Sequence, residues 1–311
     1  MDKKSKIILI AGPTASGKSN FALQLAKKVN GEIINSDSMQ IYKEIKILNA
    51  RPTSKNIKKI THHLYGFHSV KKKFSTGQWL KKTIRLIKEI KKKNKIPILV
   101  GGTGLYFKAI TSGLTKIPLI PMKYRNKLRA EHKKIGQKKF FNKLIKLDPL
   151  AKSRINDNDA QRTLRAYEVK KYTNTSLFKW HENTPKNFEE KDFLKIYVDC
   201  PRDDLIHRIS KRVDNMIRAG AINEVKKLRN LKIKKDNSSN KVIGINEISK
   251  FLDGDQNIDV TKEQICIKTR QYAKRQRTWA RSQMSNWEKL DYKKLASYSK
   301  KIKISSLKLD Q

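Results

Sequence analysis

Gly12-Pro13-Thr14-Ala15-Ser16-Gly17-Lys18-Ser19 follows the apolar run Ile7-Ile8-Leu9-Ile10-Ala11 and precedes Phe21-Ala22-Leu23-Gln24-Leu25-Ala26. The run reads as a buried parallel strand and the later segment continues at helical spacing, so the order is strand, glycine-rich turn, helix. The spacing G-x-x-x-x-G-K-S is that of a loop that cradles phosphates. Gly12 and Gly17 let the backbone aim successive N–H groups at one anion, and the following helix N-terminus adds its partial positive charge. Lys18 supplies a full charge to terminal phosphate oxygens, and the Ser19 hydroxyl suits Mg²⁺. Pro13, Thr14, Ala15 and Ser16 complete the loop. It is expected to bind a di- or triphosphate, without specifying which.

Two further strand ends point at the same place. Glu32-Ile33-Ile34-Asn35 reads as a strand ending at Ser36-Asp37-Ser38, and Ile96-Pro97-Ile98-Leu99-Val100 as one ending at Gly101-Gly102-Thr103-Gly104. Ligands of open parallel sheets sit beyond the carboxyl ends of strands, so these ends and the loop at Gly12 should converge on one cleft. Between them the spacing predicts an amphipathic helix over 77–93, with Leu80, Ile84, Ile87 and Ile90 as its apolar stripe. Thr61-His62-His63-Leu64-Tyr65 is placed near a sheet edge, with its histidines read as structural rather than as ligands.

From about residue 115 the texture changes to consecutive helical patterns, an inserted helical subdomain. The expected fold is therefore α/β, a P-loop NTPase-like parallel sheet flanked by helices with an all-helical insertion. The expected division is a first core part over 1–114, the insertion over 115–190 and a second core part over 191–311. In the insertion, Arg162 and Arg165 share a helix face beside Gln161 and Glu168, which suits either phosphate contact or plain solvation. Strand alternation resumes at Phe193–Val198, with Asp199 at its end as a metal ligand or a turn cap. A helix is expected over 203–217 and a mobile linker over 232–241. A basic helix over 261–285 follows, interleaving Arg270, Lys274, Arg275, Arg277 and Arg281 with Tyr272, Trp279 and Trp287. Such a face binds a nucleic-acid backbone, or its aromatics simply pack on the core.

Composition sets outer bounds. The 311 residues have 37% hydrophobic content, enough for an ordinary globular core. No run of about 18 apolar residues occurs and the chain passes straight from Met1 into the first strand. Neither a membrane span nor a signal peptide is therefore expected, and the location expected is cytoplasmic. Cys200 and Cys266 stand alone, outside any metal or disulfide spacing. The net charge of +44 favours a polyanionic partner, although 56 of the 72 basic residues are Lys and part of that excess has the look of AT-rich coding.

Five blocks occur together and in order: the phosphate loop, Ser36-Asp37-Ser38-Met39-Gln40-Ile41-Tyr42, Val100-Gly101-Gly102-Thr103-Gly104-Leu105-Tyr106, Asp159-Ala160-Gln161-Arg162 and Thr269-Arg270-Gln271-Tyr272-Ala273-Lys274-Arg275-Gln276. Over nearly the whole chain this resembles the bacterial tRNA dimethylallyltransferases, which prenylate an adenine beside the anticodon. The resemblance implies that the loop holds the diphosphate of dimethylallyl diphosphate, with Mg²⁺ on Ser19. It implies that Asp37 is the base or hydrogen-bond acceptor for adenine N6, and that Thr103 and Lys18 complete the catalytic set. By the same resemblance Asp37, Ser38, Met39, Gln40, Thr103, Arg125, Gln161, Arg162, Thr163, Leu164 and Arg165 contact tRNA, joined by Arg270, Lys274 and Arg275 from the basic helix. The insertion would clasp the anticodon stem-loop, and the chain would act as a monomer.

Three departures from the family pattern stand out. Glu44-Ile45-Lys46-Ile47-Leu48-Asn49-Ala50-Arg51-Pro52 replaces G-M-D-I-G-T-A-K-P, Gly244-Ile245-Asn246-Glu247 replaces G-Y-[KR]-[EQ], and Tyr65-Gly66 follows the paired histidines and Leu64. Rival readings are a nucleotide kinase or NTPase, a transferase on free AMP and a non-catalytic RNA binder. Against the first, the sequence offers no arginine-rich lid. Against the second stand the helical insertion and basic helix, and against the third the phosphate loop with Asp37 and Thr103.

Overall fold

The computed structural model describes residues 5–234, 236–303 and 305–307. Six strands form one sheet: β1 (Ile7–Ala11), β2 (Gly31–Asn35), β3 (His62–His63), β4 (Ile96–Gly101), β5 (Phe193–Asp199) and β6 (Glu288–Asp291). Their order is β3-β2-β4-β1-β5-β6 and every neighbouring pair is parallel. β1 is central, with Ile8 opposite Ile98 of β4 and Leu194 of β5. A parallel strand covered on both faces needs a continuous apolar run, and all five β1 residues are buried. The fold is thus α/β, a parallel sheet flanked by helices, as the strand-helix alternation predicts.

Side chains alternate across the sheet. Ile8 and Ile10 join Phe21, Ala22 and Leu25 of the helix Lys18–Lys28 in one core cluster. On the opposite side of the alternation stand Ile7 and Leu9, also fully buried. The helix Thr76–Lys92 starts in a Ser75–Gln78 capping box and buries Trp79, Leu80, Thr83, Ile87 and Ile90. Its inward stripe therefore uses Thr83 where the spacing suggested Ile84, which is only half-buried. Trp79 sets this phase: its indole N–H donates to Asn35 O at 2.9 Å and its ring stacks on Tyr106 at 4.2 Å.

The chain divides into two compact units, one of residues 1–111 with 188–311 and one of residues 112–187. The smaller unit consists of the helices Met122–Ile135, Gln137–Leu147, Ala160–Thr173 and Leu177–Glu182 around a core centred on Phe140, Leu144, Ala166 and Val169. In the larger unit, the helices Arg202–Arg218, Ala221–Arg229, Ile245–Leu252 and Ile258–Gln283 follow β5. The last begins three residues earlier than its apolar pattern suggests because the Asn257 side chain caps it, accepting from Val260 N.

Segment 232–241 is not the mobile linker its composition predicts. Asn237 and Ser239 are buried and donate to Val70 O at 3.1 and 2.9 Å, so the polar side chains satisfy a buried carbonyl instead of solvent. Residue 235 lies outside the described residues. Among the described residues no helix is long and apolar enough to cross a membrane.

Candidate active site

The phosphate loop leaves β1 and turns into the helix Lys18–Lys28 at Gly17, whose φ of +93° only glycine adopts without strain. No side chain caps that helix and no acid occupies its first turn, so its leading N–H groups are free for an anion. Ala15 also holds a positive φ, of 64°, and its carbonyl accepts from Arg208 Nε at 2.6 Å. Lys18 is buried and donates to Pro13 O at 2.9 Å. Burial pushes its ammonium down from 10.5 to about 8, Asp37 opposes that fall and Arg212 adds to it.

The three strand ends do converge. β4 passes so close to the end of β2 that a Cβ on Gly101 would lie 2.1 Å from the Ser36 carbonyl. Asp37 is held in a tight turn, its N–H on Asn35 Oδ1 at 2.8 Å and its Oδ1 accepting from Met39 N at 2.9 Å. Among the described residues Asp37 Oδ2 has no hydrogen bond. Thr103 Oγ1 accepts from Ser38 N at 2.9 Å and donates to Ser38 Oγ at 3.2 Å. Gln276 ties the arrangement together, accepting from Thr14 N and donating to Gly102 O, both at 2.9 Å.

A cleft of about 700 Å³ opens over the loop, lined by Lys18, Ser19 and Asp37. Six cations line it, Lys18, Arg208, Lys211, Arg212, Lys241 and Arg275, against the single carboxylate of Asp37. Such an imbalance in a confined space attracts a multiply charged anion. Arg212 Nη1 donates to Thr14 Oγ1 at 3.1 Å, and burial lowers the Arg212 pKa while Asp37 supports its charge. A second cavity of about 290 Å³ lies alongside, lined by Thr103, Phe107, Tyr197, Trp279 and Met284 and sharing Met39, Tyr272 and Arg275 with the first. Burial raises the Tyr272 phenol and keeps it neutral, against the opposing hydrogen bonds of Thr103 and Gln276. Flat aromatic walls with a few hydroxyls suit a planar heterocycle.

The other expected residues fall into separate places. Gln40 and Ser38 border these cavities. Arg270 and Lys274 instead line a groove of about 560 Å³ between the helices Arg202–Arg218 and Ile258–Gln283. In the smaller unit Gln161 and Arg162 are exposed, Thr163 is buried and Leu164 packs into the core. Arg125 pairs at 3.0 Å with Glu168, which is 2% exposed, and Arg165 stands 3.8 Å from the same carboxylate. Asp199 lies outside the cleft, in a pocket with Arg277, Arg281 and Lys289. His62 and His63 are structural, on Ile60 O and Glu32 at 2.7 Å each.

Arg208 and Arg212 carry no motif signal for this site, and Gln276 stands in the last of the five blocks without a role read from it. The only trace of the two arginines is their i, i+4 spacing, which places both on one helix face. Both arginines come from the helix Arg202–Arg218 that follows β5.

A family model described as IPP transferase matches residues 40–283. The chain belongs to the IPP transferase family. A tRNA dimethylallyltransferase of Pelagibacter ubique is 59% identical to this family member over 311 residues, 100% of this chain and 99% of the relative. One from Rickettsia massiliae is 42% identical over 303 residues, 97% of this chain and 83% of the relative. Among solved structures, the tRNA isopentenylpyrophosphate transferase of Bacillus halodurans is 34% identical with a TM-score of 0.68, covering 96% of this chain and 95% of that one. A eukaryotic dimethylallyltransferase acting on tRNA is 28% identical with a TM-score of 0.82, covering 94% of this chain and 75% of that one.

Proposed function

We propose that this enzyme transfers the dimethylallyl group of dimethylallyl diphosphate to N6 of the adenine at position 37 of tRNA, beside the anticodon, as a cytoplasmic monomer. One observation carries the reading. The cationic cleft and the aromatic cavity share Met39, Tyr272 and Arg275, so an anionic donor and a planar acceptor can meet beside Asp37.

The C1–O bond of the donor breaks with its electron pair passing to the diphosphate, and a bond forms between C1 and adenine N6. Positive charge spreads over the allyl group while negative charge grows on the leaving group. Lys18, Arg212 and the loop N–H groups stabilise that anion without reorganising. Adenine N6 is a poor nucleophile because its lone pair is delocalised into the ring. Asp37 Oδ2 accepts an N6 proton and holds the amine in line, and Thr103 and Ser38 fix the turn that carries it. Reaching the cavity requires the base to leave its stack.

Magnesium fits the donor set. Ser19 presents one exposed hydroxyl at the cleft, and among the described residues no group of three or more His, Cys, Asp or Glu is gathered to hold a metal alone. Mg²⁺ takes one or two protein oxygens and fills the rest from phosphate and water. Ser19 would hold it, and when bound it supplies countercharge to the diphosphate.

The exposed residues Gln161 and Arg162 of the smaller unit serve as RNA contacts in this reading. The deciding experiment incubates the protein with labelled dimethylallyl diphosphate, Mg²⁺ and either bulk tRNA or free AMP. Label in tRNA alone supports the reading. Label in AMP, or ATP hydrolysis with no label in either product, overturns it.

A further inference from the structure

Residues 44–50 wall the donor cleft, with Leu48, Asn49 and Ala50 on its lining. They form no helix or strand, so the backbone N–H groups of 46–48 take their partners from a side chain. Glu224 supplies them from the helix Ala221–Arg229, a span of about 180 residues away in sequence. Its Oε1 accepts from Lys46 N at 2.6 Å and Ile47 N at 2.8 Å, and its Oε2 accepts from Leu48 N at 3.0 Å. Three successive N–H groups on one carboxylate make a nest that fixes the course of the segment. Charge-assisted hydrogen bonds of this kind are the strong ones. Arg51 faces Glu44 and Glu224 and supplies the countercharge.

The segment so fixed grips the Asp37 turn. Asn49, 6% exposed, donates through Nδ2 to Met39 O at 2.5 Å, and Asn49 O accepts from Gln40 Nε2 at 2.8 Å. Met39 N is itself the donor to Asp37 Oδ1. A chain of short contacts therefore runs from Glu224 through the 46–48 backbone and Asn49 to the catalytic carboxylate. On the other side of the segment, Leu48 O lies 3.5 Å from Arg212 Nη2.

We propose that Glu224 is a positioning residue for transfer, one that holds the 46–49 segment so that Asn49 sets the Asp37–Gln40 turn at the angle the acceptor amine requires. This rests on the transferase reading above. Glu224 touches neither substrate. Its effect reaches the reaction only through the placement of Asp37, where a displacement of a fraction of an ångström matters.

The test is a double-mutant cycle on the full chain. Glu224→Gln keeps the size and one accepting oxygen for Lys46 and Ile47 but turns an N–H₂ towards Leu48 N. It should melt within about 4 °C of wild type and bind tRNA unchanged, while single-turnover transfer falls on the order of 10-fold. In an Asp37→Ala background the same substitution should change the residual rate by less than about two-fold, because the group it positions is gone. Asn49→Ala, which cuts the link while leaving Glu224 in place, should behave alike and be non-additive with Glu224→Gln. A full loss that persists without Asp37, additive single variants, or no loss at all overturns the proposal. A wild type that labels no tRNA overturns the parent reading and this proposal with it. A wild type that transfers while the variants stay additive overturns this proposal alone.

Discussion

Arg212 Nη1 lies 3.1 Å from Thr14 Oγ1, joining the helix after β5 to a phosphate loop 198 residues earlier in the chain. The guanidinium thereby faces the anion site with its direction fixed by the protein. Arg212→Ala should lower kcat/KM for dimethylallyl diphosphate by on the order of 10²–10³, the usual loss of one preorganised donor, with tRNA affinity unchanged. Arg212→Lys should recover only part, because a point charge cannot hold Thr14 and a diphosphate oxygen together. Steady-state kinetics with the donor varied and filter binding of tRNA measure both.

Lys18 makes the cleft sensitive to pH. Its pKa falls from 10.5 unfolded to about 8 folded, chiefly through burial. Between those values the unfolded chain binds more protons, so ligand-free stability rises with pH across that window. Below about 8 the full penalty applies, about 3 kcal/mol. Lys18→Met should therefore melt above ligand-free wild type at pH 7, the difference shrinking towards pH 10.5, while transfer is lost. In the proposed reading protonated Lys18 is the form that binds diphosphate, so wild-type kcat/KM for the donor should decline above pH 8. Paired melting curves and a pH–rate profile check both signs.

Asp37 has two oxygens with separate duties, one holding Met39 N and one open. Asp37→Asn should keep the turn and tRNA affinity within about two-fold while turnover falls by on the order of 10²–10⁴. Binding and single-turnover rates measured on the same preparation decide it. Comparable losses in both would remove the role assigned to the open oxygen.

Arginines in the smaller unit should separate into two classes. Arg162 is 71% exposed and pairs with Asp159 at 3.3 Å, so Arg162→Ala should leave stability unchanged and reduce the salt slope of tRNA binding by about one. Arg125→Ala strips the closest partner from buried Glu168 and should cost on the order of 1–3 kcal/mol of stability. Salt titrations and thermal melts of the two variants test the division.

What could be read beforehand follows from the range of each interaction. The strands β1, β2, β4 and β5 were legible because parallel strands buried on both faces are contiguous apolar runs bounded by turn residues. Asp37 and Thr103 were legible because sheet topology alone carries strand ends to one edge. Arg208, Arg212, Glu224 and the bridging role of Gln276 were not, since helical periodicity reports which face is apolar but not what stands opposite its polar face. Asn237 and Ser239 looked like solvent-facing residues for the complementary reason: composition cannot see the buried Val70 carbonyl that they satisfy.

The Gln276 amide gives the site a place in time as well as in space. Ribosomes deliver the phosphate loop first, yet β5, Arg212 and the Gln276 bridge between Thr14 and Gly102 emerge only after most of the chain has been made. Pairing β1 with β5 closes a long loop, which is slow relative to local helix formation. Prematurely terminated chains ending before Gln276 will carry the motif intact and still hold no finished cradle. On the function proposed above, a complete diphosphate cradle therefore waits for the helix that carries Gln276 to dock.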